Sequence, residues 1–387
     1  MHILMISDVY FPRVNGVSTS IQTFVDCFQA LGHKVTLIAP EYPERVATTF
    51  ELISVPSKAL PLDPEDRLMS YRFIKGLGPQ LSEQDFDVIH IHTPFIAHYA
   101  GIRLAKILGL RVIITYHTFF EAYFEQYLPW LPKSLLRYVA RRISRSQCNQ
   151  VDTIISPSRQ MKERLLDYGI TSPIEVIPTG LPSICFEKVE DAKGFRGDWG
   201  IPEDSTVLLY VGRVAFEKNI GLLIDAFELL ARGRPDIFLL IAGEGPAEGQ
   251  LKRYAAQRQN HARIKFTGYL DRAHDLWRCY QSADCFVFGS QTETQGLVLL
   301  EALAAGLPVV SVASMGSKDV LVDGEGCRIV KNDPNDFART LGELIDSPDD
   351  LKMLRAKSSS YAKGWDAMHL AKILLGVLRR HSACLRT

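Results

Sequence analysis

The stretch Val207-Leu208-Leu209-Tyr210-Val211-Gly212-Arg213-Val214-Ala215-Phe216-Glu217-Lys218-Asn219 decides the fold class. Its first five residues are apolar and bracketed by valines, the composition of a short buried strand. Gly212 ends the run, cations stand at 213 and 218, and an apolar helical segment opens after Asn219. Strand, glycine turn and helix in that order form half of a βαβ unit.

The unit repeats in both directions. Downstream, residues 238–242, 264–267, 285–289, 308–312 and 327–330 read as strands, separated by segments long enough for crossover helices. Upstream, residues 2–7, 34–39, 88–92, 111–115, 153–156 and 174–177 read the same way. Residues 17–31 read as a helix with Ile21, Phe24, Val25 and Phe28 on one face, closed by Gly32. The best linker is Pro178-Thr179-Gly180-Leu181-Pro182 and the charged segment that runs on to Pro202. The expected architecture is α/β, with two doubly wound, Rossmann-like domains at 1–182 and 183–365. Residues 366–380 read as a last helix with Leu370, Ile373, Leu374 and Val377 on one face. Ligands of such sheets sit beyond the carboxyl ends of the strands. Two such domains facing each other make a cleft suited to a small molecule.

The 387 residues carry 44 Lys plus Arg against 44 Asp plus Glu, and 47% of them are hydrophobic. At roughly 150 residues per domain, that length suits two domains. The charge balance excludes a disordered chain and a protein held on nucleic acid by bulk charge. No nucleic-acid partner is expected. The most promising uncharged stretch, 302–317, is broken by Gly306, Pro308 and Gly316, whereas a membrane span needs about 20 apolar residues. The apolar start ends at Asp8 without a basic n-region, unlike a secretory signal, so a cytoplasmic location is expected. Cysteines at 27, 148, 185, 279, 285, 327 and 384 form no C-x-x-C pair and read as reduced core thiols.

Three clusters carry chemistry. Glu293-Thr294-Gln295-Gly296-Leu297-Val298-Leu299-Leu300-Glu301 places two carboxylates around a glycine turn and the start of an apolar helix. The free N–H groups and positive dipole end of that helix suit an anionic ligand, and both carboxylates are in reach of hydroxyls on the same bound molecule. The plain reading, two solvated charges on an ordinary helix, competes when this motif is taken alone. Arg213 and Lys218 at a strand end form a natural diphosphate clamp. Asn15-Gly16 before the first helix lets backbone approach a phosphate without a side chain in the way. Neither G-x-G-x-x-G nor G-x-x-x-x-G-K-[ST] occurs in that loop. Gly243-Glu244-Gly245-Pro246 reads as a tight turn after a strand. His90 and His92 stand at a strand end and are expected to face opposite sides and not to share a metal.

These clusters, in this order and spacing, resemble the retaining glycosyltransferases of family 4, which have the GT-B fold of two Rossmann-like domains facing across a cleft. The resemblance runs from residue 1 to about 365 and includes Tyr116-His117-Thr118 and Pro178-Thr179-Gly180. Ser146-Gln147-Cys148-Asn149-Gln150-Val151-Asp152 and Thr292-Glu293-Thr294-Gln295-Gly296-Leu297 look like the branch of diacylglycerol glucosyltransferases and GDP-mannose-dependent α-mannosyltransferases. Gln295 stands where many relatives have Phe.

The resemblance implies roles. Arg213 and Lys218 hold the donor diphosphate, and Gly16 lets an amide approach the same phosphates. Glu293 binds donor sugar hydroxyls, supported by backbone at Thr294, Gln295, Gly296 and Leu297. Glu301 holds the ribose, His117 faces the transferring sugar, and the nucleobase lies near Gly268 and Tyr269. It further implies a metal-independent reaction without a cofactor, retention of configuration by same-face attack, and a helix from 366–387 crossing back to the first domain. UDP-glucose is the favoured donor and GDP-mannose the second.

No acidic residue occurs from Gln126 to Val151, whereas Lys133, Arg137, Arg141, Arg142 and Arg145 are basic. Aromatic and leucine residues precede them, including Phe119, Phe120, Tyr123, Phe124, Tyr127, Leu128, Trp130 and Leu131. Anchors beside a basic helix suit an anionic bilayer surface; a solvated basic face beside a core-packed loop is the competing reading. A lipid acceptor and a peripheral position on the inner membrane face are expected, with a soluble or polysaccharide acceptor as the alternative. Rivals of other classes are a nucleotide-sugar epimerase of the same fold and a non-catalytic sugar-nucleotide-binding protein.

Overall fold

The computed structural model describes residues 1–44, 46–59, 67–121, 124, 130–192, 194–272 and 274–382. Contacts divide the chain into two units, Met1–Gly180 with Ala367–Thr387 and Leu181–Asp366.

Among the described residues, the first unit is built on seven parallel strands: β1 (His2–Ile6), β2 (Lys34–Pro40), β3 (Glu51–Val55), β6 (Val88–Ile91), β7 (Val112–Thr115), β8 (Thr153–Ser156) and β9 (Ile174–Val176). A separate hairpin pairs β4 (Ser57–Ala59) with β5 (Arg67–Met69). The sheet order is β3-β2-β1-β6-β7-β8-β9. In β1, β2, β6, β7 and β8, largely apolar runs buried on both faces explain why the segments pair in parallel. The order reverses between β1 and β6, which makes a switch point there. Asp8, just past β1, stitches it. Its buried carboxylate accepts from the Thr93 hydroxyl (2.8 Å) and from the backbone N–H groups of Phe95 (3.2 Å) and Ala97 (3.1 Å). It thereby caps the helix Ile96–Leu108 from a distance.

The C-terminal helix Ala367–Ser382 packs on the helix Gly16–Ala30. Ile21, Phe24, Val25 and Phe28 meet Ala371, Leu374, Leu375 and Leu378 in one buried cluster. Ile373, expected on that face, is 44% exposed. The buried stripe runs through 367, 371, 374, 375 and 378, and Ile373 falls outside it.

The second unit has six parallel strands among the described residues: β10 (Thr206–Val211), β11 (Ile237–Ala242), β12 (Ile264–Gly268), β13 (Cys285–Phe288), β14 (Val309–Val312) and β15 (Cys327–Val330). Their order is β12-β11-β10-β13-β14-β15. The reversal falls between β10 and β13. The loops after these two strands carry Arg213, Lys218 and Glu293.

The edge strand β3, the hairpin and the short helices Tyr71–Gly76 and Gly78–Ser82 are additions to the sequence reading. β3 is half exposed and mixes Glu51 and Ser54 into its run, which hides its period. Among the described residues, six cysteines are buried and in no disulfide; Cys384 lies outside the described residues. No helix among the described residues is long and apolar enough to cross a membrane.

Candidate active site

In the second unit, the loops beyond the strands are laced into one assembly. Tyr210 is buried, stacks on Phe288 at 5.8 Å, and donates its hydroxyl to the Arg213 carbonyl at 3.0 Å. This fixes the turn that carries Arg213. The Val214 N–H donates to the Glu244 carbonyl (2.8 Å), and the Ala247 N–H to the Val214 carbonyl (3.0 Å). A Cβ on Gly243 would lie 2.0 Å from the Gly212 oxygen, and one on Gly245 2.5 Å from the Val214 oxygen. The turn at 243–246 is therefore more than a connection: its glycines let two backbones touch.

The next loop joins through the same turn. The Gly243 N–H donates to the Gly268 carbonyl at 2.8 Å, and the Tyr269 N–H to Glu244 Oε1 at 3.2 Å. Tyr269 itself is 52% exposed.

Lys218 closes a short 3₁₀ turn, Phe216–Lys218, ahead of the helix Ile220–Leu230. Its Nζ donates to Glu293 Oε1 at 2.6 Å, and both side chains are mostly buried. The two motifs are thus one ion pair between the β10 and β13 loops. Gly296, at φ +95°, precedes the helix Leu297–Ala304, as its sequence position suggests. Gln295 is buried there. The loop is braced from behind by Gly316. The Gly316 N–H donates to the Glu293 carbonyl at 2.8 Å, and a Cβ at that position would sit 2.1 Å from the Thr294 oxygen. Gly316 enters the sequence reading only as a breaker of an apolar run; spacing carries no sign of its contact with Thr294.

Glu301 is 3% exposed and is not the free acceptor its motif suggests. Its Oε1 makes a close ion pair with Arg272, and its Oε2 accepts from the Tyr280 hydroxyl at 3.0 Å. Sequence reasoning missed both partners, which come from the stretch after β12.

The remaining candidates belong to the first unit. Gly16 begins the first helix, is exposed, and has no atom within 4 Å of where its Cβ would stand. Asn15 caps that helix through Oδ1, which takes the Val17 and Ser18 amides at 2.9 Å each. Those two amides are therefore committed to the cap. His117 stands two residues past β7. His90 and His92 do not face opposite sides: their ring centroids are 4.1 Å apart. Residues two apart on a strand share a face, so the two-residue period itself puts these rings together. His92 Nδ1 lies 3.4 Å from His117 Nε2, and the rings stack. Burial pulls His117 and His98 down to about 4 and His90 to about 3; the proximity of His117 adds to the effect at His90. These imidazoles are neutral at pH 7. His117 and His98 border a small cavity with Thr93, Thr115 and Gln147.

The helix Lys133–Cys148 is basic throughout, but its cations are not equivalent. Arg141 pairs with Glu121 at 2.8 Å and lies over the Tyr168 ring at 5.4 Å. Arg145 packs beside Gly169. Both are nonetheless exposed. Lys133, Arg137 and Arg142 are exposed, and between them so are Leu135, Tyr138 (60%) and Val139, with Trp130 at 71% just before the helix. Tyr123, Tyr127 and Leu128 lie outside the described residues.

A charged pair at a sheet's switch point, a helix N-terminus and a braced glycine loop have the chemistry to take a phosphorylated, hydroxyl-rich ligand. Comparison with known proteins agrees. Residues 14–183 match the model of glycosyltransferase family 4, and residues 191–365 that of glycosyl transferases group 1. The chain is 33% identical over 320 residues to the alpha-monoglucosyldiacylglycerol synthase of Streptococcus pneumoniae, covering 80% of this chain and 71% of that one. It is 27% identical to a GDP-mannose-dependent alpha-mannosyltransferase of Corynebacterium glutamicum, over 88% of this chain and 79% of that one. Among solved structures, sucrose-phosphate synthase from Thermosynechococcus elongatus superposes with a TM-score of 0.80 at 21% identity, covering 98% of each chain. Anabaena HepE in complex with UDP and glucose gives 0.78 at 15% identity, over 98% of this chain and 100% of that one. The chain belongs to glycosyltransferase family 4, has the GT-B fold, and is a hexosyltransferase.

Proposed function

We propose that the chain transfers a hexose, with retention and without a metal, from a nucleotide sugar to a hydroxyl of a membrane lipid. UDP-glucose is the favoured donor and GDP-mannose the second. The observation that carries the lipid reading is the helix Lys133–Cys148. A merely solvated basic helix has no reason to expose Leu135, Tyr138 and Val139 among its cations, with Trp130 beside them. Apolar side chains interleaved with exposed Arg137 and Arg142 fit the headgroup region of an anionic bilayer. The similarity to lipid glucosyltransferases supports the same acceptor class. The protein works from the cytoplasmic face as a peripheral enzyme.

In the reaction, Arg213 and Lys218 take the charge of the donor diphosphate, the role a divalent ion plays elsewhere. Lys218 turns from Glu293 to phosphate, which frees Glu293 to accept from sugar hydroxyls. The Gly16 amide approaches the same phosphates, the nucleobase lies against Gly268 and Tyr269, and Glu301 receives the ribose. The bond from sugar C1 to the β-phosphate oxygen breaks as the acceptor oxygen attacks the same face. The acceptor proton passes to that leaving phosphate oxygen. Neutral His117 hydrogen-bonds the sugar and keeps it in register.

Release of nucleoside diphosphate from UDP-glucose, UDP-galactose and GDP-mannose, with and without lipid vesicles, tests the reading. Vesicle-stimulated release from one donor is expected. Stimulation by a soluble glycan and by no lipid would point to the alternative acceptor.

A further inference from the structure

Glu301 sits inside the helix Leu297–Ala304, almost wholly buried. A carboxylate in that position keeps its charge only with partners of its own. Arg272 contacts Oε1, and the Tyr280 hydroxyl donates to Oε2 at 3.0 Å. The two come from different places: Arg272 from the loop after β12, Tyr280 from the helix Asp275–Ser282. Trp277 ties them together. Its ring stacks on Tyr280 at 5.7 Å and lies 6.0 Å from the Arg272 guanidinium. Burial disfavours the charge on Arg272, and Glu301 more than restores it.

An ionised carboxylate has about four lone-pair directions. Arg272 occupies one on Oε1 and Tyr280 one on Oε2. One acceptor direction on each oxygen remains, the number needed for two vicinal hydroxyls. Arg272 also lies three residues beyond Tyr269, so a single loop spans the nucleobase candidate and the partner of Glu301.

We propose that Arg272 and Tyr280 are positioning residues that hold Glu301 oriented, so that this cradle makes the site select a ribonucleoside diphosphate over its deoxy forms. The inference rests on the reading of Glu301 as the ribose ligand. It adds that Glu301 cannot discriminate without the cradle.

The test is calorimetric binding of UDP, 2′-deoxy-UDP and 3′-deoxy-UDP, with GDP and its 2′-deoxy form in parallel. Native protein is expected to prefer the ribo form by about tenfold or more, the worth of one hydrogen bond to a charged group. Glu301→Gln should bring that ratio near one. Arg272→Met should do the same while binding of the deoxy form changes little, and Arg272→Lys should recover part of the ratio. Tyr280→Phe removes one donor without changing ring packing, and keeps the test alive if Arg272→Met does not fold. A full ratio in Arg272→Met or Tyr280→Phe, or an equal loss for ribo and deoxy forms, overturns the proposal. A full ratio in Glu301→Gln instead overturns the ribose reading beneath it.

Discussion

Lys218 Nζ and Glu293 Oε1 lie 2.6 Å apart, joining the loop after β10 to the loop after β13 across the switch point of the sheet. On the proposed function, a diphosphate competes with Glu293 for Lys218 and releases the carboxylate for hydroxyls. Lys218→Ala and Arg213→Ala should each lower kcat/KM by about a hundredfold or more, the scale of losing a charged contact to a developing anion. Circular dichroism should show both folded. Near-normal turnover in both variants would remove the clamp from the mechanism.

Gly316 braces the Glu293 loop from behind. A methyl group there would stand 2.1 Å from the Thr294 carbonyl oxygen, a distance that backbone cannot absorb without moving. Gly316→Ala should therefore displace the loop and weaken donor binding by about tenfold or more. Gly364→Ala, with nothing within 4 Å of the new Cβ, is the matching control. Calorimetry with UDP or GDP reads the difference; equal affinities in the two variants would show the brace to be irrelevant.

The neutral histidines make stability depend on pH. His98 and His117 are pulled down to about 4 and His90 to about 3. The unfolded chain takes up their protons near its ordinary value of about 6.5. Between about pH 6 and 4.5 the unfolded state therefore binds more protons, and stability falls as pH falls. Each such group contributes about 1.4 kcal/mol per pH unit. Buried Asp8, pushed up to about 6, works in the opposite sense and offsets one of them. Melting temperature should drop steeply from pH 6.5 to 5, and His98→Gln should flatten the slope by about one proton. An unchanged slope in that variant would mean that His98 titrates normally.

The exposed part of the helix Lys133–Cys148 should bind anionic vesicles. Arg137→Glu with Arg142→Glu should weaken co-sedimentation by well over tenfold, at about 1 kcal/mol per charge near the surface and both signs reversed. Arg141→Gln removes one charge where the double variant reverses two, and it also breaks the pair with Glu121, so it should cost less in binding and more in stability. Equal effects of the two changes on binding would contradict attachment through the charge of this face.

Much of this was legible from residue order. Strand runs at 207–211 and 285–289 and the glycines beside them placed Arg213, Lys218 and Glu293 at strand ends, because a parallel sheet leaves few other arrangements. The helix at Gly296 followed from one glycine and an apolar run. What stayed hidden depends on contacts between distant segments. Gly316 reaches back to Thr294, Arg272 and Tyr280 reach forward to Glu301, and Arg141 turns to Glu121. No local period encodes such pairs. His90 and His92 were legible and misread: residues two apart on a strand share a face, and their rings do meet.

The central claim, hexose transfer from a nucleotide sugar to a membrane lipid, is tested most directly by product analysis. Purified protein is incubated with UDP-glucose or GDP-mannose and anionic vesicles containing diacylglycerol, and the lipid fraction is examined by mass spectrometry and proton NMR. The account predicts a lipid-linked α-hexoside formed in step with released nucleoside diphosphate and without added metal. Folded protein that puts no hexose on lipid from either donor, or forms the β-anomer, would contradict it.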